Sequence, residues 1–200
     1  MTKRAHVLTA AEFRRLLKIA STSTHAKRDT LLVLMSYGLG LRAVELAALT
    51  IGQVLHPNEE VRDSIYLTRT KNNIKRTAYL SDPTICKAIL EYIEERKITA
   101  VKKRILYNHY QPLFLSQKRS FFTNDTLAKL FKHLYREAGI YDASSHSGRR
   151  TFATNLIEQG IDIKAVSTLM GHASIQMTAL YIQDNPERLK KITSHALSFI

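Results

Sequence analysis

The densest concentration of chemically capable side chains lies between His146 and Tyr181. His146 and Arg149 stand three residues apart ahead of a helical pattern whose apolar side is Phe152, Ala153, Leu156 and Ile157. Imidazole and guanidinium are therefore expected to share a face at a helix N-terminus, where free N–H groups and the helix dipole favour an anion. Beyond them come Leu169-Met170-Gly171-His172 and then Tyr181. Upstream, Gly38-Leu39-Gly40-Leu41-Arg42 runs into Ala43-Val44-Glu45-Leu46, which places a second arginine at a helix start after a glycine turn, and Lys71 falls in a polar turn. Each piece alone has a plainer reading. His146 and Arg149 would be a surface pair or a cap contact, and Arg42 an ion pair with Glu45. Lys71 would be a solvated turn lysine, His172 a structural histidine, and Tyr181 one of nine tyrosines.

The charge balance narrows the partners. Thirty Lys and Arg against seventeen Asp and Glu give a formal +13, and each phosphate neutralised by Lys or Arg releases condensed counterions. A basic surface with no partner is also compatible with that charge. Nucleic acid ranks ahead of an anionic membrane, because no basic amphipathic helix with a continuous apolar face is found. The single Cys86 cannot form an internal disulfide, which suits a reducing compartment, and it sits in an apolar pattern as a small core residue. Arg14 and Arg15 interrupt any signal-like run. The longest apolar stretch, at 31–41, is too short to span a bilayer. The expected location is cytoplasmic.

The elements that must hold these residues read as follows. Thr9 and Glu12 make a capping-box pattern for a first helix over 10–20. A second helix passes through 31–36, two glycines break the chain, and 42–49 forms a short third helix. Ile65 and Leu67 alternate with Tyr66 and Thr68, a turn follows at 70–73, and 75–80 returns as the partner strand of a hairpin. Asp82-Pro83 opens the next helix, and 97–112 is read as a basic, irregular segment. Asn124 caps a helix ending near Gly139, and Ser144 or Ser145 starts another ending at Gly160. Short helices are expected at 162–170 and 174–182, and Asn185-Pro186 starts a last one. The expected architecture is one mainly α domain over 1–200 with a small antiparallel β-sheet.

The order Gly40-Leu41-Arg42 with Glu45, Lys71 in a hairpin turn, His146-x-x-Arg149, Gly171-His172 and Tyr181 resembles the signature of the tyrosine recombinase family. Phage integrases, Xer-type resolvases and the short recombinases that invert fimbrial promoter switches belong to that family. The likeness runs from about Thr9 to Ile182. It implies the tyrosine recombinase catalytic-domain fold and a site-specific recombinase that joins Tyr181 to a DNA 3′-phosphate. Arg42 and Arg149 would hold the phosphate in bidentate forks, with His172 as a further donor. Lys71 would protonate the leaving 5′-oxygen, His146 would hold or accept the tyrosine proton, and Glu45 would orient its neighbours. No metal and no cofactor are expected. The implied partners are double-stranded DNA, a homo-tetramer on two DNA sites, and accessory DNA-bending proteins.

Three departures qualify the likeness. Gly148 stands where the family usually has a bulky apolar residue, which suggests a looser helix, and Arg150 stands where a histidine is common. Arg150 is read as a phosphate contact, like the basic cluster Lys102, Lys103 and Arg104 and the pair Lys118 and Arg119. The helical pattern also begins so early that no N-terminal core-binding domain is expected, as in the fimbrial-switch enzymes. That implies weak DNA affinity for the monomer. The helix after Pro186 would either exchange between protomers or pack on its own domain. Competing functions are a recombinase-derived DNA-binding regulator without strand exchange and a type IB topoisomerase-like relaxing enzyme. Generic RNA binding ranks last, since no paired aromatic platform is seen.

Overall fold

A computed structural model of the chain describes residues 5–68 and 75–181. Nine helices and two strands fall among them: α1 (Ala10–Ser21), α2 (Ala26–Gly38), α3 (Ala43–Ala48), α4 (Ile51–Val54), β1 (Ser64–Leu67), β2 (Arg76–Tyr79), α5 (Pro83–Lys103), α6 (Asn124–Glu137), α7 (Ser147–Glu158), α8 (Ile163–Met170) and α9 (Ile175–Ala179). This is the expected mainly α fold with one small antiparallel sheet. Among the described residues no helix is long and apolar enough to cross a membrane.

Local chemistry accounts for most boundaries. Glu12 N–H donates to Thr9 Oγ1 at 3.2 Å, and Thr9 N–H donates back to Glu12 Oε2 at 2.8 Å, closing the expected capping box. Asp82 accepts from the backbone of Thr84 and Ile85 ahead of α5, with Pro83 in the first turn. Strand register pairs Ser64 with Tyr79, Ile65 with Ala78, Tyr66 with Thr77 and Leu67 with Arg76. Ile65 and Leu67 are buried and Tyr66 is exposed, as their alternation requires.

Four expectations need correction. Residues 97–103, read as irregular, continue α5. Their charge density looked like a loop, but Arg96 is buried and donates to the carbonyls of Pro112 and Leu113, tying the helix to the returning chain. The α4 turn was not anticipated, being only four residues long. The cap of α6 is Thr123 rather than Asn124. Finally, α7 starts at Ser147 with His146 as its N-cap, not at 144 or 145.

Two apolar clusters organise the packing. The larger joins α1–α6 and the hairpin around Leu16, Leu31, Leu46, Ile65 and Phe131. The smaller gathers Ala153, Ile157, Val166 and Met170 from α7 and α8, with Phe152, Leu156 and Tyr181 against it. Cys86 lies partly buried at the edge of the larger one. At Gly148 the start of α7 lies so close to α2 that a Cβ would fall 2.2 Å from Ser36 Oγ. The missing side chain thus belongs to a tight helix contact. The last helix, expected after Pro186, lies outside the described residues.

Candidate active site

The chain leaves α2 through the Gly38–Gly40 turn and enters α3 at Arg42, and the first turn of α3 folds Glu45 back over it. The Glu45 carboxylate accepts from the Arg42 backbone N–H and from Arg42 Nη1, both at 2.8 Å. The ion pair that was the plainer reading of Arg42 therefore exists. It does not use up the residue, whose side chain stays 16% exposed while that of Glu45 is fully buried.

A second arginine closes on the same carboxylate. Arg76, the first residue of β2, donates from Nε and Nη2 to the two Glu45 oxygens at 3.2 and 2.7 Å. It also donates to the carbonyl of Leu169 at 2.5 Å and to that of Gly40 at 3.2 Å. Sequence reading passed over Arg76 as an ordinary strand residue. The available signal was its register, since Arg76 shares parity with the buried Ala78 and Leu80. An arginine on an apolar strand face must find buried partners. Burial alone would push the Glu45 carboxyl up. The hydrogen bond and charge of Arg76, the Arg42 backbone N–H and the charge of Arg149 outweigh that and hold it below the usual carboxylate value.

Arg149 arrives from α7. It is buried, donates from Nη1 to the Gly40 carbonyl at 2.8 Å, and donates from Nη2 to the carbonyl of Met170. Gly40 thus serves both Arg76 and Arg149. Burial, followed by the nearby charges of Arg42 and Arg76, pulls the Arg149 pKa down to about 9, partly offset by Glu45 and the Tyr181 phenol. The guanidinium remains charged at neutral pH but is poorly compensated. Three guanidiniums against one carboxylate leave two positive charges in excess. Such a site is built to receive negative charge.

Gly171 ends α8 in the left-handed region at φ 57°. A Cβ there would also lie 2.7 Å from Arg76 Cδ, so both backbone and space call for glycine. The turn delivers His172, whose Nδ1 lies 2.8 Å from Thr178 Oγ1 and whose ring stacks on Tyr181 at 5.9 Å between centroids. Burial, then the charges of Arg149, Arg42 and Arg76, lowers the His172 pKa to about 4, so the ring is neutral at pH 7. Tyr181 is half-buried against the α7–α8 cluster, and its N–H donates to the Thr178 carbonyl at 3.0 Å.

The structure therefore gathers Arg42, Glu45, Arg149, His172 and Tyr181, and adds Arg76 and Thr178. His146 sits exposed at the head of α7, where its N–H donates to Ser144 Oγ at 3.3 Å. Arg149, from the same turn, is buried. Lys71 lies outside the described residues. Lys102, Lys103 and Arg104 are exposed at the C-terminal end of α5, with no hydrogen bond to the arginine cluster. Arg150 is half-buried, and its Nε has no hydrogen-bond partner among the described residues. Among those residues no group of three or more His, Cys, Asp or Glu could hold a metal ion.

Residues 6–188 match the model of the phage integrase family. The tyrosine recombinase XerD of Oceanobacillus iheyensis is 31% identical over 185 residues, covering 92% of this chain and 59% of that protein. The tyrosine recombinase XerA of Thermococcus kodakarensis is 28% identical over 189 residues, covering 94% and 62%. The chain thus spans about three-fifths of the length of these relatives. A crystal structure of XerA recombinase superposes with a TM-score of 0.75 at 27% identity, over 96% of this chain and 65% of that one. The XerH recombinase bound to palindromic difH substrate shares the fold, with a TM-score of 0.73 at 24% identity over 94% and 52%. With the matched segment running through every gathered residue from Arg42 to Tyr181, this chain belongs to the phage integrase family, the tyrosine recombinases.

Proposed function

We propose that this chain is the catalytic domain of a site-specific DNA recombinase that cuts and rejoins duplex DNA through a 3′-phosphotyrosyl intermediate. The observation that carries the reading is the excess of two positive charges at Arg42, Arg76, Arg149 and Glu45, set beside Tyr181. A phosphodiester carries one negative charge in the ground state and gathers more on its non-bridging oxygens as a nucleophile adds. A doubly positive, preorganised site favours that second state over the first, and this is how binding energy becomes rate.

In the proposed step the Tyr181 oxygen bonds to phosphorus and the bond from phosphorus to the 5′-oxygen breaks. The phenolic proton passes to His146, since a phenol of intrinsic pKa about 10 must lose its proton as it attacks. Lys71 supplies a proton to the departing 5′-oxygen. Arg42 and Arg149 hold the non-bridging oxygens, neutral His172 adds a donor without adding charge, and Glu45 with Arg76 fixes the guanidiniums. The ester bond kept in the phosphotyrosyl link lets a second DNA 5′-hydroxyl reverse the step, with no energy source. Names of relatives such as XerD and XerA support the recombinase reading. We extend it to a homo-tetramer on two DNA sites in the cytoplasm, aided by DNA-bending proteins, with residues 186–200 exchanged between protomers. Lys102, Lys103, Arg104 and Arg150 are assigned to phosphate contacts.

The test uses nicked duplexes prepared from the DNA flanking the gene, in which the short cleaved strand diffuses away and traps the covalent complex. Wild-type protein should give an adduct that survives denaturant, and Tyr181→Phe should bind the same DNA and give none. Binding without any adduct from wild type would instead describe a regulator that has lost strand exchange.

A further inference from the structure

Thr178 is fully buried, and its hydroxyl has one hydrogen-bonding neighbour among the described residues, His172 Nδ1 at 2.8 Å. A threonine near the end of a helix commonly turns its hydroxyl back to a carbonyl one turn earlier. Thr178 does not, although α9 offers that turn. The direction of the bond follows. If Nδ1 carried the proton and donated it, the threonine hydrogen would be buried with no acceptor, which is costly. If the hydroxyl donates to Nδ1, the buried hydroxyl proton is satisfied, and Nε2 of the half-buried ring carries the ring hydrogen. Burial, then the charges of Arg149 from α7, Arg42 from the start of α3 and Arg76 from β2, oppose a second proton on the imidazole.

We propose that Thr178 is a positioning residue that sets the tautomer of His172, leaving Nε2–H as a neutral donor for the scissile phosphate. The same residue accepts the Tyr181 N–H on its carbonyl at 3.0 Å. One threonine therefore holds the histidine by its side chain and the nucleophile's turn by its main chain, while the two rings stack with an angle of 11° between their planes. A histidine held this way adds a hydrogen bond to the developing charge without disturbing the charge balance of the arginine cluster. The proposal rests on the recombinase reading for what Nε2–H donates to, but the tautomer itself can be measured without DNA.

The experiment compares wild type, Thr178→Val and Thr178→Ser. Valine keeps the shape and deletes the hydroxyl, and serine restores it. In protein labelled with 15N-histidine at neutral pH, His172 should report the Nε2–H tautomer in wild type and Thr178→Ser. In Thr178→Val it should report a mixture. On the nicked duplexes, Thr178→Val should cleave at least about 10-fold more slowly with unchanged DNA affinity, since a mixed tautomer forfeits part of one donor to the developing charge, worth roughly 100-fold or more when lost outright. Thr178→Ser should stay close to wild type. An Nδ1–H tautomer in wild type overturns the proposal even if the valine variant does not fold, and so does equal cleavage by wild type and Thr178→Val. Should wild type show the expected tautomer and form no adduct, it is the recombinase reading that falls.

Discussion

In the proposed step Arg149 is a donor to the charge that develops on the phosphate, so Arg149→Ala should lower the cleavage rate by roughly 100- to 1000-fold. Duplex affinity should change little, as measured by gel shift beside adduct formation. Arg42→Lys should fail nearly as badly as Arg42→Ala, because an ammonium cannot bridge Glu45 and a phosphate with one planar fork. A lysine variant retaining near-normal cleavage would reduce Arg42 to the ion pair it also makes. His172 supplies a prediction in pH. Free histidine titrates near 6.5 and His172 at about 4, so between those values the unfolded chain holds a proton that the folded chain refuses. Stability therefore rises with pH across that window and is lost as pH falls from about 6.5 to about 4. The Tm of wild type should drop more steeply over this range than that of His172→Gln. Parallel curves would show that neither burial nor the arginine cluster lowers the His172 pKa.

Elements are coupled where their side chains meet far from home. Arg76 belongs to the hairpin, Glu45 to α3 and the Leu169 carbonyl to α8, so one guanidinium ties together three pieces that each carry part of the site. A double-mutant cycle of Arg76→Met and Glu45→Gln, followed by urea unfolding, should give a coupling of about 0.5–3 kcal/mol, as for residues sharing one buried network. Additive effects would mean the pair does not act as a unit. The contact between α7 and α2 has the same character. Gly148 looked like a weakness when read along one helix, yet it is the point at which two helices approach with no room for a side chain. The early end assigned to α5 fails for a related reason. Lysines and arginines in a row resemble a loop until Arg96 is seen to be buried and capping the carbonyls of Pro112 and Leu113.

At the scale of the whole molecule, thirteen excess positive charges predict salt-sensitive binding to any duplex. The logarithm of the affinity should fall linearly with the logarithm of salt concentration, with a slope of about −0.9 per phosphate contact. Replacing Lys102, Lys103 and Arg104 by glutamine should shallow that slope by roughly one for each residue that touches a phosphate, without altering sequence preference. An unchanged slope removes the end of α5 from the DNA-facing surface.

What the amino-acid order determined by itself was the inventory and its sequence: Arg42 with Glu45 after a glycine turn, His146 and Arg149 at a helix head, Gly171-His172, then Tyr181, with caps at Thr9 and Asp82 and a hairpin between. The caps and the hairpin follow from residues two to four apart, within the reach of helix and strand periodicity, whereas His172 and Tyr181 stood out through the ordered resemblance to the tyrosine recombinases. Arg76, Thr178 and the neutrality of His172 were decided only in three dimensions. Glu45 and Arg76 are 31 residues apart, Arg76 and Leu169 are 93 apart, and Gly40 and Arg149 are 109 apart. Hydrogen bonds and charge repulsion act across space, so what they do to a side chain depends on which distant segments the fold sets against it.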